Sequence, residues 1–271
     1  MRRVVLAGAL LTVVGLGSVV AEAQVAKSPS FEVTVVKPAK PDADGEDWDS
    51  NEGTTVIQNY PVIKLIRNAY GLSTVSQVVD APDWLKDQRF DVTAKVDAEE
   101  FHRLNTLSAD ERDKEFSDLL KSMLVERFGL KVRPGTRKMP MYALERVSAT
   151  TLGSKLQPVP VGKDGRAIGG HHSNRNGGHW EAQGVSMEEI ARLLSGRYEM
   201  GGRPVVDRTG TAGAYRFTMD YAPDNGTGVA PDATLPGLSD AVRQELGLKL
   251  VKTDGDVPVV IVESVKKPEL D

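Results

Sequence analysis

The phrase RFGLKV stands at Arg127–Val132, and ELGLKL stands at Glu245–Leu250. This recurrence constrains the fold more than any other feature, because the residues around the two copies also correspond. Val78-Val79-Asp80 and Arg89-Phe90 fall on Val205-Val206-Asp207 and Arg216-Phe217 at a constant offset of 127, which also carries Ile63 and Ile66 onto Ile190 and Leu193. Past the next loop the offset drops to 118. Gly129-Leu130-Lys131 then meets Gly247-Leu248-Lys249, Pro140 meets Pro258, Glu145 meets Glu263, and Val147 meets Val265. Chance matches would scatter, whereas these hold steady on both sides of one indel, so an internal duplication is expected.

Within each copy the hydrophobic periodicity predicts helix, strand, strand, helix, strand, with a further strand leading in. The first helix spans Pro61–Tyr70, with Val62, Ile63, Ile66, Ala69 and Tyr70 on one face. Its partner starts at Ser186, where Ser-Met-Glu-Glu predicts a capping box, followed by a stripe of Met187, Ile190, Leu193 and Leu194 and a left-handed exit at Gly196. A second capping box at Ser108–Glu111 opens a helix carrying Phe116, Leu119, Leu120, Met123, Leu124 and Phe128 and ending at Gly129. Its shorter equivalent carries Leu238, Ala241, Val242 and Leu246 and ends at Gly247. Strands are expected over Phe31–Val36, Phe90–Val96, Met141–Val147, Phe217–Tyr221 and Val259–Val265, with short extended pieces at Gln77–Asp80 and Pro204–Asp207. Lys37–Gly53 and Ser148–Gly178 read as loops. The expected fold is therefore α+β: two duplicated small units over residues 28–148 and 179–268, each βαββαβ-like with short helices on a small mixed sheet, joined by a linker over 149–178.

The 271 residues are 40% hydrophobic and 27% charged, which suits one large or two small globular domains. Met1-Arg2-Arg3, the apolar run Val4–Val20 and the small-x-small triplet Ala21-Glu22-Ala23 read as a signal peptide over residues 1–23, cleaved before Gln24. Its removal changes the formal charge from −4 to −5, because two arginines and one glutamate leave with it. Lys and Arg are scattered, so nucleic acid is not an expected partner. There is no Cys, hence no disulfide framework, and no later apolar stretch that would span a membrane. A periplasmic or secreted location follows.

The ordered set FEVTVVKP, LIRNAYG, DAPDWLKDQRFDVTAKV, LLKSMLVERFGLKV, MYALERV, GRPVVDRTGTAGAYRFTMDY and LGLKL resembles, along the whole mature chain, an exported "soil-associated" family expanded in acidobacteria, a domain of unknown function. The resemblance implies no characterised activity. Some relatives are fused behind a membrane metallopeptidase, whose H-E-x-x-H this chain lacks. Each half is also similar to the short N-terminal (STN-like) domains of secretins and TonB-dependent transducers, on the strength of ELGLKLVKTDGDVPVVIV. That similarity implies a periplasmic docking role by analogy.

Three kinds of candidate site stand out. His171, His172 and His179, in HHSNRNGGHW, could share a metal through imidazole nitrogens, although a polar Gly/Asn-rich loop is the plainer reading. Asp80 and Asp207 occupy equivalent places and could form an acid/base pair, or each could accept backbone hydrogen bonds in the turn that follows it. Trp84, Trp180 and Tyr198 could stack on a sugar in a cleft between the units, or belong to the core, Trp84 as a packing anchor. The acidic run Asp42–Glu52 fails the spacing of a calcium loop, and Ser264-Val265-Lys266-Lys267 lies on a strand rather than at a helix start. No G-x-S-x-G, P-loop or dinucleotide fingerprint occurs. No cofactor is implied. The leading expectation is a non-catalytic module that binds an envelope protein or peptide by an interlobe groove or a sheet edge. A metal-dependent hydrolase and a small-molecule or glycan binder are the alternatives.

Overall fold

The computed structural model describes residues 29–163, 167–168, 172–176, 178–222 and 234–269. In chain order the first half contains β1 (Val33–Pro38), β2 (Asp47–Asn51), β3 (Thr54–Pro61), α1 (Val62–Ala69), a 3-10 turn (Val75–Gln77), β4 (Val78–Val79), α2 (Trp84–Asp87), β5 (Arg89–Lys95), α3 (Ala98–Thr106), α4 (Ala109–Phe128) and β6 (Lys131–Arg146). The second half contains β7 (Gln157–Val159), β8 (His172–Asn176), β9 (His179–Val185), α5 (Met187–Ser195), a 3-10 turn (Tyr198–Met200), β10 (Val205–Asp207), β11 (Ala214–Asp220), α6 (Leu238–Leu246) and β12 (Leu248–Ser264). The class is α+β. Two antiparallel sheets, ordered β1-β5-β3-β2 and β7-β11-β9-β8, flank a mixed sheet ordered β10-β6-β12-β4.

The repeated Gly-Leu-Lys does the same local work twice. Gly129 and Gly247 sit at φ 57° and 66°, a conformation that only glycine adopts without strain, and each closes a helix. The Leu130 N–H then bonds back to the Leu124 carbonyl, and Leu130 and Leu248 enter the two cores. At the other end of α4, Ser108 and Glu111 exchange side-chain-to-backbone hydrogen bonds as a capping box. Ser186 Oγ accepts from the Glu189 N–H at 3.1 Å and so starts α5. Gly196 departs from expectation: its φ is −77°, so α5 ends without a left-handed residue.

The cores form where the helices press their apolar stripes onto the outer sheets. α1 and α4 place Leu65, Ile66, Leu119, Met123, Leu124 and Phe128 against Val36, Ile57 and Val92. α5 and α6 place Ile190, Leu194, Val242 and Leu246 against Trp180, Phe217 and Met219. Buried Val62, Leu65, Ile66 and Ala69 of α1 match buried Met187, Ile190, Ala191 and Leu194 of α5 when the helices are aligned by their caps, Pro61 and Ser186. That alignment moves the helix equivalence by two residues from the one read in sequence, and Leu193 is only partly buried.

Segments expected as loops carry strands. Glu52 and Gly53, both at positive φ (48° and 77°), make a two-residue hairpin turn that pairs β2 with β3. Three strands, not one, therefore precede α1. The expected linker 149–178 contributes β7, paired with β11, and β8, paired with β9. Gly153 and Lys155 donate their N–H groups to the Leu246 and Glu245 carbonyls, so this stretch also closes the end of α6.

The two halves are joined by strand exchange. β6 leaves the first core beside Leu130 and Val132 and ends in the second with Tyr142 and Leu144. β12 leaves the second core with Leu248 and ends in the first with Val260 and Val262. Each strand thus completes the other half's core, and the two pair antiparallel along nearly their whole length. Their flanks correspond as well. Val78 pairs with Val260, and the sequence offsets carry that pair onto Val205 with Tyr142, which is also paired.

The prolines and glycines inside these long strands have a geometric place. Tyr142 donates outward to the Pro204 carbonyl, and Leu144 accepts from the Arg208 N–H, so even-numbered residues of β6 turn their backbone groups away from β12. Their β12 partners are even-numbered too, since Tyr142 faces Lys252. Pro134, Pro140 and Pro258 are all even, so none of them removes a ladder bond between the two strands.

Candidate functional site

A cleft of about 480 Å³ lies between the halves. One wall is the end of α1 and the loop beyond it, with Tyr70, Leu72, Ser73 and Gln77. The other is the start of α5 with Glu188 and Arg192, together with Pro204–Asp207 around β10. Val257 and Pro258 of β12 lie between the walls.

Each wall is fixed by local chemistry. Gln77 is buried, and its Oε1 accepts from the N–H groups of Ser73 (3.0 Å) and Thr74 (2.9 Å). Its Nε2 donates to the Pro258 carbonyl at 2.9 Å, which clamps the loop to β12. Opposite, the buried Ser195 hydroxyl donates to the Ala191 carbonyl (2.9 Å) and accepts from the Val205 N–H (2.8 Å), which ties α5 to β10. Ser76 Oγ reaches the Gly202 carbonyl at 3.0 Å and joins the two loops directly. Burial pushes the Tyr70 phenol above its ordinary value, and the Lys121 ammonium lies 5.5 Å from its ring centre. Glu188, Glu189 and Asp207 outnumber Arg192, so the lining is net acidic.

Several of the polar lining groups already have partners. Ser186 is spent as a helix cap, Asp207 Oδ1 accepts from the Thr209 N–H at 2.8 Å, and Glu189 accepts from Arg192 at 3.3 Å. No described lining residue is a histidine.

The residues expected as a site do not gather here. Of the described ones only Asp207 lines the cleft. Asp80 is exposed, at φ 56°, and pairs with Arg137 at 2.8 Å. β4 and β10 lie on opposite edges of the central sheet, and their rows meet β6 eleven residues apart, at Arg133 and Leu144. That is roughly 35 Å of strand. Asp80 and Asp207 therefore form no acid/base pair, and Asp207 takes the alternative turn role. Trp180 is fully buried, stacked edge-on against Phe217 at 4.9 Å with its Nε1 donating to Ser173 Oγ at 3.0 Å, so it serves the second core rather than a sugar. Trp84 is partly buried against the first core, the packing role weighed for it. The Tyr198 side chain lies outside the described set.

The histidines do not converge either. His171 lies outside the described residues. His172 pairs with Gln183 and His179 with Asn176, which places the two histidines four residues apart along the β8–β9 hairpin, about 13 Å. Each has its own carboxylate instead, Glu181 at 3.8 Å and Asp220 at 2.6 Å. Among the described residues no three His, Cys, Asp or Glu side chains group as metal ligands.

A second polar cluster was not anticipated. Asn59, at φ 52°, donates from Nδ2 to the Ala43 and Gly45 carbonyls, and its own N–H goes to Asp91 at 2.8 Å. Glu46 joins it by accepting from Lys64 and Arg89. Burial opposes ionisation of Glu46, but the hydrogen bonds and charges of Lys64 and Arg89 outweigh it and hold its carboxyl below the ordinary range. This cluster pins the loop between β1 and β2. The cleft's second wall was legible in the Ser186 cap, and its first wall left a signal in the Thr74–Gln77 capping box, which marks the tight turn that carries it.

No curated protein and no solved structure matches the chain. The family model described as "Protein of unknown function (DUF3738)" matches residues 63–265, from α1 through the end of β12 and hence across both walls of the cleft, and the chain belongs to that family.

Proposed function

We propose that the protein is an exported, non-catalytic binding module that takes a protein or peptide segment in the cleft between its halves. The observation that carries this reading is the construction of the cleft. One wall is clamped through Gln77 to β12, and the other is tied through Ser195 to β10, which pairs with β6, so both rest on the strands that cross between the cores and the site is pre-formed rather than assembled by a hinge. The lining polar groups serve caps and turns and leave surface for recognition. The N-terminal signal pattern supports export, and the resemblance of each half to periplasmic docking domains points the same way. The paired offsets and the matching order of the two outer sheets support an origin by duplication.

The test uses the mature chain from Gln24. Incubated with envelope extract and cross-linked, it captures a defined protein, and Ser73→Trp, which fills the cleft, abolishes the capture while leaving thermal unfolding unchanged. Undiminished capture by the filled variant would remove the cleft from the proposal. Edman sequencing of the exported protein reads Gln24 first; an intact Met1 would remove the cleavage.

A further inference from the structure

The two outer edges of the central ribbon are not alike. On β6 the outward positions between Val132 and Tyr142 are Pro134, Thr136, Lys138 and Pro140, so the prolines leave only two N–H donors there. On β12 the outward positions between Leu250 and Pro258 are Lys252, Asp254 and Asp256. All three are exposed, their pairing parity turns their N–H groups away from β6, and no other strand pairs with them among the described residues. Their carbonyls face the same way. That of Asp254 receives only the Thr253 hydroxyl, at 3.3 Å, and keeps a second lone pair. β4 already occupies this edge further along, at Val260 and Ile261, so the geometry for adding a strand exists in the same line. The open stretch begins beside Pro258, in the cleft.

The charges on this stretch select what can pair with it. Asp254 and Asp256 are two apart and share one face of the strand. Neither forms an ion pair with a described cation. Lys252 is turned to the Tyr142 ring, 5.9 Å from its centre. A second copy adding the same edge about a two-fold at Gly255, the centre of the acidic pair, would set Asp254 opposite Asp256 twice, which is unfavourable, and its β6 edge is closed by proline. A strand with cations at alternate positions would instead meet both carboxylates while taking up the free backbone groups.

We propose that the β12 edge at Lys252–Asp256 binds an extended peptide segment carrying Lys or Arg at alternate positions, by strand addition. This rests on the binding reading above and names its partner's chemistry. In antiparallel addition each outward residue exchanges an N–H and a carbonyl bond with its partner, so three residues supply up to about six bonds. The acidic lining of the cleft, Glu188 and Asp207, continues the same charge preference beyond Pro258.

The probe is fluorescein-labelled Thr-Lys-Val-Lys-Val-Lys-Thr, followed by anisotropy at low ionic strength. Saturable binding is expected. It weakens at least tenfold when alternate amides of the probe are N-methylated and when its lysines become glutamates. Asp254→Pro removes one outward donor as Pro134 does on β6 and weakens binding at least tenfold; Lys138→Pro, on the closed edge, leaves it unchanged. The double variant Asp254→Lys/Asp256→Lys keeps every backbone donor, so it tests charge even if the proline variant misfolds, and it too loses at least tenfold. No saturable binding, equal binding of the N-methylated probe, or indifference to the double lysine variant overturns the proposal. So does a wild-type oligomer that Asp254→Lys/Asp256→Lys dissolves, which would make a second copy the occupant. If Ser73→Trp abolishes probe binding and the edge variants do not, the cleft reading stands and the strand-addition reading falls; the reverse pattern retains the edge and removes the cleft.

Discussion

Substituting alanine at the two equivalent glycines separates what the helix stop costs from what surrounds it. Gly129 and Gly247 have nearly the same φ, 57° and 66°, so a Cβ at either pays the same left-handed strain, about 1–2 kcal/mol. Part of that is offset because alanine also stiffens the unfolded chain, by about 0.4–1 kcal/mol. The surroundings differ. A Cβ at Gly129 would meet only the Lys266 side chain, at an ordinary 3.6 Å. At Gly247 it would stand 2.4 Å from the Gly153 nitrogen, so backbone must move. The segment displaced is the one whose Gly153 and Lys155 N–H groups satisfy the last carbonyls of α6. Losing those two bonds adds about 0.5–1.5 kcal/mol each. Gly129→Ala should therefore lose about 1 kcal/mol and Gly247→Ala about 2–4 kcal/mol. Urea unfolding followed by far-UV circular dichroism measures both, with unchanged slope as the check that one cooperative transition is compared. Equal losses, or a larger loss at Gly129, would refute the reasoning, since only the approach of residues 152–153 distinguishes the sites.

Three further outcomes follow from the same geometry. Residues 28–148 and 149–268 expressed apart should each lack a closed core and fail to give a cooperative melt, yet fold when mixed, because β6 and β12 each finish the other half; two independent cooperative melts would contradict the exchange. Glu46→Gln should cost about 1 kcal/mol or less at neutral pH. Because the folded carboxyl lies below its ordinary value of 4.5, that stabilisation is present above this pH and disappears as pH falls through the depressed value, so the wild type and the variant should converge in acid melts; a constant difference down to acid pH would assign the effect elsewhere. Trp180→Ala should cost about 3–5 kcal/mol, since the ring is fully buried and its indole N–H is bonded to Ser173; a loss under 1 kcal/mol would return Trp180 to the surface.

The helices were readable because their signals are local. Ser108 and Glu111, the stripe through Leu119, Leu120, Met123 and Leu124, and Gly129 all lie within one element, and the same holds for Leu238–Gly247. Strand lengths were not. Pro134, Gly135, Pro140, Gly255 and Pro258 are of the types that ordinarily interrupt strands, and only the pairing parity shows that the prolines cost the ribbon nothing. The glycines are explained from across the ribbon: a Cβ at Gly135 would collide with Ile261, and one at Gly255 with Met141. β2 escaped notice because it is an exposed edge strand, so burial imposes no alternation on Asp47–Asn51. The dispersal of the candidate residues went unread for a related reason. Aromatic and histidine residues were weighed by type, but Trp180 has a hydrogen-bonding partner inside the core, and His172 and His179 sit at opposite ends of one hairpin. The cleft is made by residues ordinary in themselves, Tyr70, Ser73, Gln77 and Glu188, which meet only because β4 and β10 dock on strands from the other half.

That crossed docking bears on how the cleft can work. Two domains on a flexible linker would close on a ligand by hinge motion, and part of the binding energy would go into ordering them. Here the segment after β6 is bonded to α6 through Gly153 and Lys155, β4 rests on β12, β10 rests on β6, and Ser76 bridges to Gly202. Opening the cleft would strain all of these contacts together. A ligand therefore meets walls already in place, and complex formation should shift backbone positions little. The open edge at Lys252–Asp256 belongs to the same rigid ribbon, so a strand added there would inherit its register from the β6–β12 ladder rather than from a loop. Selectivity then rests on the spacing of Asp254 and Asp256, which a one-residue slip of the incoming strand would waste, because it turns every second side chain to the opposite face.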